Sequence, residues 1–132
     1  TVIFLDTSAI YALADRDDAN NAEALRLFNA ALTQGERFVV HNYILVEAAA
    51  LLHTRLGKPS AEQFLRDAVG FTTIWLDEEG HGDALERFTQ TASTKVSFVD
   101  AASFAVMMQH RITHYLGFDK HFTQEGFTPF TA

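Results

Sequence analysis

The chain contains no cysteine. That excludes a disulfide framework and any thiolate-held metal, so a bound ion must draw on carboxylates, imidazoles or water. It also fits a cytoplasmic location. A cationic excess is missing as well: ten Lys and Arg face seventeen Asp and Glu, a formal net charge of −7. This argues against non-specific nucleic-acid binding through a basic surface. If four acids gather around metal ions, however, the remaining balance is 10 − 13 = −3, so a metal-dependent nuclease can be acidic on paper. Long hydrophobic runs are also lacking. Residues 2–5 form a run of four with no basic segment before it, so no signal peptide is read. The stretch "YILVEAAALL" is too short and interrupted to span a bilayer, and no membrane association is expected. There is no repeat, low-complexity tract or linker, and 132 residues fit one domain, 1–132.

What is present is core material, 48 % apolar with 12 Phe, enough for a domain of this length to fold without staples. "VIFL" (2–5) reads as a strand buried on both faces, followed by a helical turn "SAIYALA" and a polar loop 15–21. A helix runs from Ala22 with Leu25, Phe28 and Leu32 at helical spacing, and Gly35 closes it. "RFVVH" (37–41) is a second strand. Asn42 is the expected cap of a helix Tyr43–Leu56, and Ser60 of a shorter one to about Val69. "FTTIWL" (71–76) alternates as a strand. "DEEGHGD" reads as an acidic, solvated loop before an amphipathic helix. Ser97 caps the helix of "SFVDAASFAVMMQHR", "THYLGF" is a strand ending at Asp119, "KHFTQEG" a turn or short helix, and "FTPF" a terminal strand. Alternating strands and helices predict an α/β, three-layer α/β/α architecture with a central, mainly parallel sheet.

Four carboxylates fall where this pattern expects burial: Asp6, Glu47, Asp100 and Asp119. Asp6, Asp100 and Asp119 can each serve a helix terminus, and Ser97-x-x-Asp100 has the form of a capping box. Glu47 has no such use. It is the only charged residue between Arg37 and Arg55, on an apolar helix with no basic residue at i±3 or i±4. A buried, unpaired carboxylate costs several kcal/mol or becomes protonated. Glu47 therefore needs a distant Arg or Lys, or a cation shared with other acids. Strand ends of a parallel sheet face one edge, where ligands bind. Asp6 and Asp119 end strands, and Asp100 and Glu47 lie in early turns of helices leaving that edge, so the four are expected to converge. Oxygen-only ligands select Mg²⁺ or Mn²⁺, and a pair of such ions clamping attacking and leaving oxygens is a scheme for phosphodiester hydrolysis. A carboxylate can cap with one oxygen and bind a cation with the other, and Asp6 is expected to do both.

On the segments "FLDTSAI", "YILVEAAALL", "SFVDAASFAVM" and "YLGFDKHFTQEGF", spread in order over the whole chain, the sequence resembles the PIN domain family, metal-dependent ribonucleases that include VapC-type toxins. The resemblance implies that Asp6, Glu47, Asp100 and Asp119 form the acidic metal-binding and catalytic set. It gives Ser8 the hydroxyl position that bonds a carboxylate or a metal-bound water. It implies attack of an activated water on phosphorus without a His or Lys base, leaving 5′-phosphate and 3′-hydroxyl ends. Asp6 and Asp100 are the expected direct ligands, Glu47 a ligand or water-orienting group, and Asp119 the completion of a second metal position. An RNA substrate, an antitoxin partner and a homodimer are implied in turn. One departure stands out: many relatives place Thr or Ser two residues before the last acid, where this chain has Gly117.

The six histidines show no zinc spacing and read as surface or core residues. His121, two after Asp119, is the one placed near a substrate. Lys95, Lys120 and Arg16 are candidate phosphate contacts. Tyr11, Leu25, Phe28 and Leu32 could form a partner-binding face or pack in the core. Competing readings are a haloacid-dehalogenase-like phosphatase, which needs an acid where Ser8 stands; a receiver module, which does not explain Glu47; a stand-alone RNA-processing nuclease; and a PIN-like scaffold without catalysis.

Overall fold

The computed structural model describes residues 1–132. Five strands, β1 (Val2–Leu5), β2 (Arg37–His41), β3 (Thr72–Ile74), β4 (His114–Leu116) and β5 (Thr128–Pro129), form one sheet in the order β3-β2-β1-β4-β5. Every pairing is parallel. β1 is central, with Ile3, Phe4 and Leu5 at most 1 % exposed, as a doubly covered strand without polar alternation requires. Helices cover both faces, giving the expected α/β/α layers. They are α1 (Thr7–Ala14), α2 (Asn21–Thr33), α3 (Asn42–Leu56), α4 (Lys58–Asp67), α5 (Glu78–Gln90), α6 (Phe98–Gln109) and α7 (His121–Gln124). None is long and apolar enough to cross a membrane.

Several boundaries differ from the sequence reading, each for a local reason. His41, not Asn42, caps α3: its ring accepts the Ile44 N–H, while Asn42 Oδ1 turns away to accept the Leu76 N–H at 2.7 Å. α4 begins at Lys58, because Gly57 at φ 99° makes the turn and Pro59 suits a first helical turn. "DEEGHGD" is helical. Asp77 caps α5 through the Gly80 N–H at 2.8 Å, and Glu78 and Glu79 occupy the first turn, where the helix dipole favours acids. β3 is a three-residue edge strand, and Trp75 beyond it is 70 % exposed. Pro129, which has no N–H to donate, sits on the opposite edge.

The twelve Phe explain how the C-terminal segment is held. Phe122 of α7 is fully buried, stacked on Tyr115 at 4.9 Å and edge-on to Phe104 at 5.0 Å. A four-residue helix has little stability of its own; this aromatic anchor fixes α7, and with it the residues on either side of Phe122. Phe28 stacks on Phe38 at 4.6 Å and so belongs to the core, whereas Leu25 and Leu32 of the same helix are exposed.

Candidate metal centre

Asp6 leaves the end of β1 at the carboxyl edge of the sheet. Its backbone N–H continues the ladder to Leu116 O at 3.0 Å, and its side chain caps α1. Oδ2 accepts both the Ser8 N–H (3.3 Å) and the Ser8 hydroxyl (2.8 Å). Asp100 stands at the third position of α6 in a complete capping box: Ser97 Oγ accepts the Asp100 N–H at 3.0 Å, and Asp100 Oδ2 accepts the Ser97 N–H at 3.1 Å. Asp119 follows β4, and its Oδ1 accepts the His121 N–H at 2.9 Å. Each aspartate thus commits one oxygen to local backbone bonds and leaves the other without a hydrogen bond. Asp6 caps α1, Asp100 completes the capping box of α6, and Asp119 braces the turn before α7, whose N-cap is Lys120.

Electrostatics link the three. Burial pushes the Asp6 carboxyl up to about 6, against the Ser8 bonds and assisted by the nearby Asp100 charge. Burial likewise raises Asp100, assisted by Asp119. Ligand atoms of Asp100, Asp119 and His121 lie within 4.8 Å of one another. Asp6 and Asp100, held up by burial and each beside another acid, belong to a hard, oxygen-rich donor set of the kind that fits a small divalent ion. Asp6 and Glu47 lie outside the tight group of three. Glu47 is half-buried on α3 and makes no ion pair, so the distant Arg or Lys that would explain it is not there.

Ser8 does more than orient Asp6. Its Oγ also accepts the Phe118 N–H at 2.9 Å, which peels residues 117–118 away from the sheet and ends β4 at Leu116 rather than at Asp119. The same clip explains Gly117. A Cβ there would stand 3.0 Å from Asp6 Cβ and 3.3 Å from Ser8 Oγ. A side chain two residues before the last acid would have to push the Asp6–Ser8 pair aside by a few tenths of an ångström. Gly117→Ala should therefore displace the Asp6–Ser8 pair, destabilise the fold by about 1–3 kcal/mol and weaken divalent-ion binding roughly tenfold. Chemical denaturation and a metal titration followed by melting temperature would measure both; an alanine variant that binds metal like the wild type would disprove the crowding.

His121 is the residue the sequence placed least firmly. Only its position two after Asp119 signalled it, and it enters the carboxylate group itself. Among the cations, Lys95 and Lys120 line an open cleft of about 660 Å³ beside Asp119 and Ser8, which Arg16 does not reach.

A parallel sheet of this order, with aspartates from β1, α6 and the β4 exit meeting at its carboxyl edge, defines a class. The chain belongs to the PIN domain family, which its residues 3–127 match. It is 32 % identical over 130 residues to the 23S rRNA-specific endonuclease VapC20 of Mycobacterium tuberculosis, in two strains of that organism, covering 96 % of this chain and 95 % of the relative. The crystal structure of M. tuberculosis VapC20, described as a Sarcin-Ricin loop cleaving toxin, superposes with a TM-score of 0.86 at 28 % identity over 97 % of both chains.

Proposed function

We propose that this protein is a Mg²⁺- or Mn²⁺-dependent endoribonuclease that hydrolyses RNA phosphodiesters, and that it acts as the toxin of a toxin–antitoxin pair. The observation that carries the reading is the set of three aspartates, each bonded to a local backbone N–H through one oxygen and free at the other, in a chain similar over nearly its whole length to a ribosomal RNA endonuclease. Asp6, Asp100 and Asp119 would hold the divalent ion, and Glu47, left without a counter-ion on its helix, would ligate it or orient a water. Such an ion supplies a water acidified toward hydroxide and a Lewis acid for the phosphate. Ser8 keeps Asp6 in one rotamer, and the capping box does the same for Asp100, so the carboxylates meet the ion pre-arranged. The similarity to VapC20 makes a structured ribosomal RNA loop the first substrate to try.

An antitoxin would find an apolar groove of about 450 Å³ between α1, α2 and α4, lined by Ile10, Leu25, Phe28 and Phe64. A homodimer is proposed on the family resemblance alone. Mg²⁺ or Mn²⁺ should raise the melting temperature of the wild type, and Asp100→Asn should abolish that response together with cleavage of ribosomal RNA. A wild-type protein that ignores both ions in a thermal melt would end the metal-nuclease reading. One that binds metal but leaves ribosomal RNA, transfer RNA and single-stranded RNA intact would point to the scaffold instead.

A further inference from the structure

We infer that the RNA strand crosses the protein through the smaller of two clefts that adjoin beside the carboxylates, with Lys95 and Lys120 holding the phosphates next to the one that is cut. The inference rests on the nuclease reading and adds the path of the substrate and its phosphate contacts to it.

The two clefts share Ser93, His121 and Gln124, so a strand could leave the carboxylates along either. The larger, of about 860 Å³, lies between α5 and α6. Its wall carries three acids, Asp83, Glu86 and Glu125, against one cation, Arg87. The smaller, of about 660 Å³, sets Lys95 and Lys120 against a single acid, Asp119, and the nuclease reading gives that acid to the ion. Of the eight residues that line the smaller cleft only one is hydrophobic. Ser93 Oγ accepts the Lys95 N–H at 3.2 Å, which leaves its own proton to donate.

Charge decides between the clefts. The chain has a formal net charge of −7, so most of its surface repels a polyanion, and attraction has to come from cations within about 10 Å of the strand. Neither lysine takes part in any of the protein's ion pairs, although seventeen acids stand against ten Lys and Arg. Both side chains are exposed and free to meet a phosphate. They come from the segments that deliver two of the aspartates: Lys95 precedes the Ser97–Asp100 capping box, and Lys120 follows Asp119. The capping box fixes the backbone after Lys95, and the buried Phe122 fixes the backbone after Lys120. A phosphate held between them therefore keeps a constant place relative to the metal centre. Lysines hold phosphates without reading bases, so this path sets affinity and register, and sequence preference has to come from elsewhere.

Cleavage of ribosomal RNA over a range of salt concentrations tests the path. Lys95→Ala and Lys120→Ala should each raise KM roughly fivefold, with kcat within about threefold of wild type. In the double variant, log KM should rise less steeply with log salt concentration, by about 1.4. Arg87→Ala and Glu86→Gln, in the larger cleft, should leave KM within about twofold of wild type. The rise in melting temperature with Mg²⁺ should be the same in the lysine variants as in the wild type. Fluorescence anisotropy of a labelled ribosomal RNA hairpin, measured on Asp100→Asn with and without the lysine substitutions, should show the same loss of affinity without any cleavage. Lysine variants with wild-type KM, a KM increase of the same size in Arg87→Ala, or a lost Mg²⁺ response in the lysine variants would overturn the path and leave the nuclease reading intact. A wild type that cuts no RNA but binds the hairpin through the lysines would overturn the nuclease reading and uphold the path. One that neither cuts nor binds would overturn both.

Discussion

In a chelating buffer, Asp6→Asn should melt at a higher temperature than the wild type, although it should cut no RNA. Burial holds the Asp6 carboxyl at about 6, against 3.8 for a free aspartate. At neutral pH the ionised group therefore costs the fold about 3 kcal/mol. The sign is opposite to that of a salt-bridged carboxylate. The folded chain binds a proton more readily than the unfolded one, so the cost is complete above pH 6 and is relieved as pH falls toward 4. Asparagine caps helices as well as aspartate and carries no charge to desolvate. Weaker bonds from Ser8 return part of the gain, leaving a net stabilisation of about 1–2 kcal/mol and a rise of roughly 3–8 °C. With saturating Mg²⁺ the order should reverse, because only the wild type gains from the ion. A variant that melts several degrees lower in chelator would mean that the cap bonds of Asp6 outweigh its burial.

The second large effect belongs to His41, the last residue of β2, fully buried and in contact with Ser103 of α6. Ser103 has one proton, and its hydroxyl lies 2.9 Å from Val99 O. With that proton on Val99, the His41 Nε2–H donates to Ser103 Oγ at 2.9 Å, and Nδ1 accepts the Ile44 N–H at 3.3 Å. Both ring nitrogens are satisfied only in the neutral form, and desolvation holds the imidazole down to about 3. His41→Ala removes a packed ring and orphans the α3 cap, at a cost of about 3–4 kcal/mol. The pH dependence is more telling. A histidine kept neutral in the fold but free to protonate when unfolded makes stability fall as pH drops from 6.5 to 3, by about 1.4 kcal/mol per unit. Asp6 contributes the opposite slope between 6 and 3.8. The two offset each other in metal-free wild type from about pH 6 to 4. Asp6→Asn should expose the histidine slope, so its urea midpoint should fall steadily over that range. Parallel curves for variant and wild type would refute the compensation.

Much of the fold was legible because the central strand "VIFL" has no polar alternation and helices such as α2 and α5 have a periodic apolar face. Of the candidate site, Asp100 and Asp119 were legible as acids at a helix start and a strand exit, and the structure brings them together, whereas Glu47, on which the sequence argument leaned, lies outside that group. What escaped was local and depended on partners distant in the chain. Asn42 has the composition of a helix cap, yet Leu76 takes its oxygen and His41 caps in its place. "DEEGHGD" has the composition of a loop, yet Asp77 turns it into a helix start. Gly117 looked like a lost hydroxyl, and only the approach of Asp6 and Ser8 shows how tight the space for a side chain is there. The meeting of Lys95 and Lys120 in one cleft is a property of packing that no spacing rule contains.

The Ser8–Phe118 clip also has a consequence for how the protein is made. It closes a loop of 110 residues, and β1, synthesised early, pairs with β4 only when residues 114–116 have followed. Contacts so distant in sequence form late in folding. No nascent chain that stops before Asp119 carries all three aspartates, and none that stops before Phe118 can lock Ser8. The three aspartates therefore stay apart until all but the last residues of the chain have been made.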